Sequence, residues 1–248
     1  MDFANKKILL AGIGGIGKAV ADILGKEGAS LYVIDIDQSK MEEAQQNNTA
    51  IKHCVACDFA DIYSIEGIIK DLLLVSGRFD GFVFCSGITA SRPFKMAKYD
   101  SILNVMNVNF FSFVEIVRCI TKKDCCTPGM SIVGISSVGA YLGNASQTAY
   151  CASKAAMNGA VRSIAIELAQ RDIRINTIAP GTTDTPMFRL AEKDFGSDSE
   201  AFSRRLHRQY LGLCQPEDIA NAVVFLLSDM SKMISGSCLC VDGGKLTS

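Results

Sequence analysis

The chain has 248 residues, 48% of them hydrophobic and 21% charged, which suits a globular protein with a large core. Its formal net charge of -1 leaves no electrostatic footprint for nucleic acid or an anionic membrane. No stretch reads as long enough to span a bilayer, and the opening MDFANKKILLAG lacks a signal-peptide pattern because its apolar run ends in a glycine turn, so a cytoplasmic protein is expected.

The first predicted strand, KKILLA, runs directly into AGIGGIG and then into a stretch of helical period from Gly17. Backbone N–H groups at such a helix start lack partners, the helix dipole favours an anion, and glycines let the backbone approach it closely. Gly12, Gly14, Gly15, Ile16 and Gly17 are therefore candidates for holding a pyrophosphate. Read as Gly12-x-Gly14-x-x-Gly17, the turn fits the general dinucleotide fingerprint. The second strand, SLYVID, ends in Asp35, about 20 residues on, where a carboxylate would accept from an adenosine ribose 2′-OH. Ile36 follows, rather than an arginine that could neutralise a 2′-phosphate, so NAD is favoured over NADP. The alternative is an Asp35 that merely ends a strand and caps the next turn.

The third and fourth strands are AIKHCVA and FDGFVFC. SILNVMNVNFFSFVEIVRCI is apolar on almost every side, which predicts a helix buried all round or lying in an interface. MSIVGIS, a long helical run after Tyr150, IRINTIA and SGSCLCVD complete the series. Continuous apolar strands separated by helices predict an α/β fold, one doubly wound parallel sheet of about seven strands with helices on both faces. No repeat or composition break marks a second domain, so residues 1–248 read as one unit. The longest irregular polar segment is Ala191 to Arg208.

Ten cysteines are scattered along the chain, and a disulfide framework is not expected. Cys54 and Cys57 form a C-x-x-C beside His53, but on a strand they would face opposite sides, and no second ligand pair follows. No metal site is predicted, and the cysteines read as small buried apolar residues.

The most informative stretch is SSVGAYLGNASQTAYCASK, residues 136–154. Tyr150 and Lys154 are four residues apart and share a helix face. An ammonium near a phenol lowers a pKa that starts near ~10, and such a tyrosine can exchange a proton with an alcohol oxygen at neutral pH. Ser137, ending the preceding strand, could hydrogen-bond that same oxygen.

With these residues in place, the chain resembles the short-chain dehydrogenase/reductase family of the standard single-domain type, with its Rossmann-type sheet, from Lys6 to Gly244. The resemblance implies that Tyr150 is the acid/base, that Lys154 tunes it and holds the nicotinamide ribose, and that Ser137 binds the substrate oxygen. It implies that Asn109, in VMNVNFFSF, supports a water relay to the lysine, and that Asp58, followed by Phe59, lies beside the adenine. Pro180, Gly181, Thr183 and Thr185, in PGTTDTPM, match the segment that touches the nicotinamide end, and VDGG (241–244) matches the closing strand and turn. Two departures stand out. Where the family has Asn-Asn-Ala-Gly, this chain has Phe84-Cys85-Ser86-Gly87; Cys85 and Gly87 could still line the adenosine ribose by their backbone, with Phe84 supplying packing where amides usually brace the sheet. The family turn T-G-x-x-x-G-x-G has three residues between its first two glycines, whereas Gly12 and Gly15 are separated by two, and Ala11 replaces the threonine.

The resemblance further implies a substrate lid at about residues 188–212. Arg204, Arg205, His207 and Arg208 cluster late in it, and with Arg92 they could meet an anionic substrate group; a solvated face balanced by Glu192, Asp194, Asp198 and Glu200 explains them equally well. The small-residue run Ala155, Ala156, Gly159, Ala160 and Ala165 allows close helix approach, and the resemblance implies that this helix and the apolar one pair across a two-fold axis, hence a homo-oligomer, dimer or tetramer. The expected activity is an NAD(H)-dependent interconversion of a secondary alcohol and a ketone. The alternatives are an NADPH-dependent β-ketoacyl carrier-protein reductase and a non-catalytic NAD-binding regulator.

Overall fold

The computed structural model describes residues 2–195 and 208–248. All seven predicted strands form: β1 (Lys7–Ala11), β2 (Ser30–Asp35), β3 (Ile51–Ala56), β4 (Phe79–Phe84), β5 (Cys126–Ile135), β6 (Arg174–Pro180) and β7 (Cys238–Val241). They make one sheet in the order β3-β2-β1-β4-β5-β6-β7, and every neighbouring pair is parallel. The helices are α1 (Gly15–Lys26), α2 (Gln38–Asn47), α3 (Ile62–Ser76), α4 (Tyr99–Met106), α5 (Ser112–Ile120), α6 (Thr148–Leu168), α7 (Pro186–Phe195) and α8 (Pro216–Leu227).

The continuous apolar character of the strands is explained by burial on both faces. Along β1, Leu9 and Ala11 enter a core layer with Phe82, Phe84, Phe113 and Met157, while Ile8 and Leu10 enter the opposite layer with Val20, Leu24 and Val223. The period of two thus sorts one strand between two cores. Cys57 belongs to the first layer and Cys54 packs against the second, so the C-x-x-C sulfurs face opposite sides as expected. All ten cysteines are free thiols, but the reading of them as uniformly buried needs correction: Cys240 is exposed and five others are half-buried.

The strand order reverses between β1 and β4, and the C-terminal ends beside that switch open the crevice where doubly wound folds take ligands. Three expectations are adjusted. Among the described residues one helical run, Tyr99–Ile120, is long and apolar enough to cross a bilayer by length and composition, contrary to the sequence reading. Its inner face carries Phe113, Ile116 and Ile120 into the core, so the same composition serves helix-to-sheet packing. Phe111 on its outer side is exposed, so the helix is not buried all round. Finally, the polar segment from Ala191 begins inside α7 rather than in a loop.

Candidate active site

The glycine turn is shaped by what its glycines lack. Gly12 adopts φ +92, and a Cβ there would lie 2.7 Å from the Ser86 backbone nitrogen. A Cβ at Gly17 would run into the Gly12 carbonyl, and one at Gly15 would sit 3.0 Å from Thr185 Cγ2. Gly14, the N-cap of α1, is different: a Cβ there would meet nothing within 4 Å, and no side chain caps the helix. The first turn of α1 therefore presents backbone N–H groups to open space, with Ile16 half-exposed beside them. This cradle fits an anionic pyrophosphate.

Asp35 braces the turn. Its Oδ2 accepts from the Ile13 N–H at 2.7 Å and its Oδ1 from the Asp37 N–H at 2.9 Å. The capping role weighed against a cofactor role is thus present, and a carboxylate, with about four acceptor sites, keeps capacity for a ribose hydroxyl beside these two. Asp58 is exposed beyond β3 and accepts from Ala60 N–H at 2.9 Å. Phe59 beside it is buried, with its ring 5.9 Å from that of Phe84, and Phe84 lies 5.4 Å from Phe113. Phe84 does replace polar bracing with an aromatic cluster. Cys85 follows β4, and burial pushes its thiol up to about 12, which leaves it an inert neutral group.

The catalytic candidates converge on two glycines. A Cβ at Gly139 would lie 3.3 Å from Ser137 Oγ, 3.4 Å from Tyr150 Cε1 and 3.5 Å from Asn144 Nδ2. A Cβ at Gly87 would lie 3.3 Å from Lys154 Nζ and 3.4 Å from Asn109 Oδ1. Lys154 Nζ sits 5.9 Å from the Tyr150 ring centre and donates to the Ile135 carbonyl at 2.7 Å. Burial lowers the Lys154 pKa to about 8, since its ammonium has left water for the end of β5.

A π-helical turn, Asn107–Phe111, interrupts the run between α4 and α5 and carries Asn109. The Asn109 amide clamps the backbone of Ile88, accepting from its N–H at 2.8 Å and donating to its carbonyl at 2.9 Å. It also donates to Ser153 Oγ at 3.0 Å, and Ser153 donates to the Tyr150 carbonyl at 2.7 Å. Ser153 and Asn144 were missed in the sequence; both lie inside the stretch 136–154 but carry no chemistry that singles them out.

Beyond Pro180, at the end of β6, Gly181 is pressed against Asp242, where a Cβ would lie 2.8 Å from its Cα. Thr183 is buried and its Oγ1 donates to the Gly181 carbonyl, while Thr185 lies against Gly15. The nicotinamide-end candidates thus abut the glycine turn. Of the proposed lid, residues 196–207 lie outside the described residues, including Arg204, Arg205 and His207. Arg92 and Arg208 are exposed.

Elsewhere, Glu66, Glu115 and Cys119 bring ligand-type atoms within 4.8 Å of one another. Arg118, Lys122 and Lys70 already pair with Glu66, which makes this an ion-pair network in which the Glu66 carboxyl is pulled down to about 2.

Residues 11–245 match the family model described as Enoyl-(Acyl carrier protein) reductase. A 3-oxoacyl-acyl-carrier-protein reductase of Thermotoga maritima is 32% identical over 98% of this chain and 99% of its own length. An L-xylulose reductase of Caenorhabditis elegans is 31% identical over 98% of this chain and 96% of its own length. Among solved structures, aldohexose dehydrogenase of Thermoplasma acidophilum is 27% identical with a TM-score of 0.87, covering 99% of this chain and 96% of that one. Sheet order, site geometry and these likenesses agree: the chain belongs to the short-chain dehydrogenase/reductase family and is an NAD(P)-dependent oxidoreductase acting on CH–OH and C=O groups.

Proposed function

We propose that the chain interconverts a secondary alcohol and a ketone with NAD(H), residues 1–248 working as one catalytic domain. The observation that carries this reading is the convergence of Ser137, Tyr150, Lys154 and Asn109 on Gly139 and Gly87, at the mouth of the crevice beside the glycine cradle. When bound, the nicotinamide supplies or accepts the hydride. Gly12, Gly14, Gly15, Ile16 and Gly17 hold the pyrophosphate, and Asp35 accepts from the adenosine ribose. Asp58, Phe59, Cys85 and Gly87 line the adenosine side, with Pro180, Gly181, Thr183 and Thr185 at the nicotinamide end.

In reduction, the Tyr150 hydroxyl gives its proton to the carbonyl oxygen, while the Ser137 hydroxyl donates a hydrogen bond to that oxygen. In oxidation, the tyrosine oxygen takes the proton back. The Lys154 ammonium favours the phenolate by its charge and holds the nicotinamide ribose, and Asn109 supports the path by which protons return. The test is a titration with NAD(H) and NADP(H), followed by a screen of alcohols and ketones with the tighter cofactor. Tighter binding of NADP(H) overturns the assignment of Asp35. A second reading, an NADPH-dependent β-ketoacyl carrier-protein reductase, is favoured by the name of the Thermotoga maritima relative. Turnover of a β-ketoacyl thioester with NADPH and not NADH selects it.

For assembly we propose a homo-oligomer in the cytoplasm. Its support is the exposed Phe111 on the apolar helix and the outward Ala155 on α6. Sedimentation as a monomer at micromolar concentration overturns it.

A further inference from the structure

The structure assigns to Gln209 the part of a positioning residue: its buried amide fixes the backbone of Thr182 and thereby sets the nicotinamide-end segment, through Thr185, against the glycine turn. The inference rests on the cofactor reading above. Gln209 is 3% exposed, although it directly follows the polar segment that ends at Arg208. Its Oε1 accepts from Thr182 N–H at 2.8 Å, and its Nε2 donates to the Thr182 carbonyl at 2.9 Å. One side chain therefore pairs with both backbone groups of one residue, as a neighbouring strand would. The same Nε2 lies 2.7 Å from the Gly212 carbonyl and 3.2 Å from Cys214 Sγ.

Two glycines make room for it. A Cβ at Gly181 would lie 2.6 Å from Gln209 Oε1, and a Cβ at Gly243 would lie 2.6 Å from Gln209 Cγ. The amide is thus threaded between the turn after β6 and the turn after β7, which neither glycine would permit if it carried a side chain. Lys245, also buried, donates to Thr182 Oγ1 at 2.6 Å, and Cys214 N–H donates to the Thr182 carbonyl at 3.1 Å. Thr182 is held from three sides. Three residues later, Thr185 Cγ2 reaches 3.0 Å from where a Gly15 Cβ would stand, so displacement at Thr182 propagates to the cofactor turn.

A pin that acts on the nicotinamide end separates two ligands that share the adenosine half. In the unmodified protein, NADH and ADP-ribose are titrated by calorimetry, or NADPH and 2′-phospho-ADP-ribose if that cofactor binds tighter. Absence of dinucleotide binding here sinks the cofactor reading itself, before any variant is made. Gln209→Met keeps the length of the side chain and removes its hydrogen bonds. The expected result is a roughly tenfold weaker dinucleotide with ADP-ribose unchanged within twofold, because the adenosine contacts do not pass through Thr182. Gln209→Glu, which keeps the acceptor and can restore a donor when protonated, is expected to recover dinucleotide affinity as the pH is lowered. Equal weakening of both ligands, or unchanged affinity for both with only a lower Tm, overturns the proposal. So does failure of both variants to fold, which would make Gln209 a support of the fold alone.

Discussion

The two ends of the crevice are built on opposite principles. At the cofactor turn, geometry comes from missing side chains: Gly12 and Gly17 are in contact, Gly14 faces open space, and one carboxylate braces the loop. At the catalytic end, geometry comes from a buried polar network. Asn109, Ser153 and Lys154 are all nearly inaccessible, and each is hydrogen-bonded to backbone or to one another. A network of that kind holds its groups in place only while each member is present, whereas a glycine turn tolerates loss of a contact but not gain of an atom. Deletions should therefore injure the catalytic end most, and additions the cofactor end.

The largest expected effect is deletion of one oxygen. Tyr150→Phe should lower kcat by about 10³-fold, within the span of general acid–base catalysis, while dinucleotide affinity stays measurable. Activity within tenfold of the parent would show that the proton travels by another group. Lys154→Met should also silence the enzyme, yet it should stabilise the cofactor-free fold. The Lys154 pKa falls from 10.5 to about 8 in the folded chain, so the unfolded chain binds more protons between those values. Folding stability therefore rises with pH from about 8 to 10.5, and below 8 the burial cost is fully present, at about 3 kcal/mol. Denaturant melts of parent and variant at pH 7 and pH 10.5 should show the variant's advantage largely gone at the higher pH. A constant difference would mean that the ammonium is well solvated where it stands.

The contrast also explains what the sequence made legible. Ser137, Tyr150 and Lys154 stood out in the sequence because the chemistry proposed for them calls for those residue types at fixed spacing on a strand end and a helix, and the fold brings them together. The seven strands were readable because burial on both faces leaves unbroken apolar runs. The glycine turn was only half readable, since Gly12, Gly14, Gly15 and Gly17 look alike in a string while three are sterically required and one marks open space. Gln209 was not readable at all. A glutamine directly after a polar segment looks solvated, and its burial depends on Gly181 and Gly243, which come from distant turns. Tyr99–Ile120 erred in the other direction: its 101–120 core reads as one apolar helix in the sequence, yet its length was not weighed against a bilayer, because the same composition serves a helix packed on a sheet.

On the cofactor side, an added methyl group tests the steric half of the comparison. Gly17→Ala places a Cβ, fixed in direction by its own backbone, against the Gly12 carbonyl, where neither can swing away. Overpacking of this kind costs about 1–3 kcal/mol, and dinucleotide affinity should fall by at least tenfold as the turn shifts. Gly14→Ala, into open space, should leave Tm unchanged within measurement and weaken only the bound pyrophosphate. Equal melting points for the two variants would dissolve the distinction between them.

The smallest effect is expected at Asp35, where the observed brace and the proposed cofactor discriminator meet in one carboxylate. Asp35→Asn keeps an oxygen for the Ile13 N–H but turns its NH₂ group toward the Asp37 N–H, losing one hydrogen bond. That loss is worth about 1 kcal/mol, or roughly 2–4 °C in Tm for a chain of this size. Removing the charge also lifts the repulsion of a 2′-phosphate, so the ratio of NADP(H) to NAD(H) affinity should rise by about tenfold. The two consequences are separable by melting the variant and titrating both cofactors. A lower Tm with an unchanged ratio would assign Asp35 to the turn alone and move discrimination elsewhere on the adenosine side, toward the exposed Asp58. A changed ratio with an unchanged Tm would mean that the short turn holds its shape through Gly12 and Gly17 without help from the carboxylate.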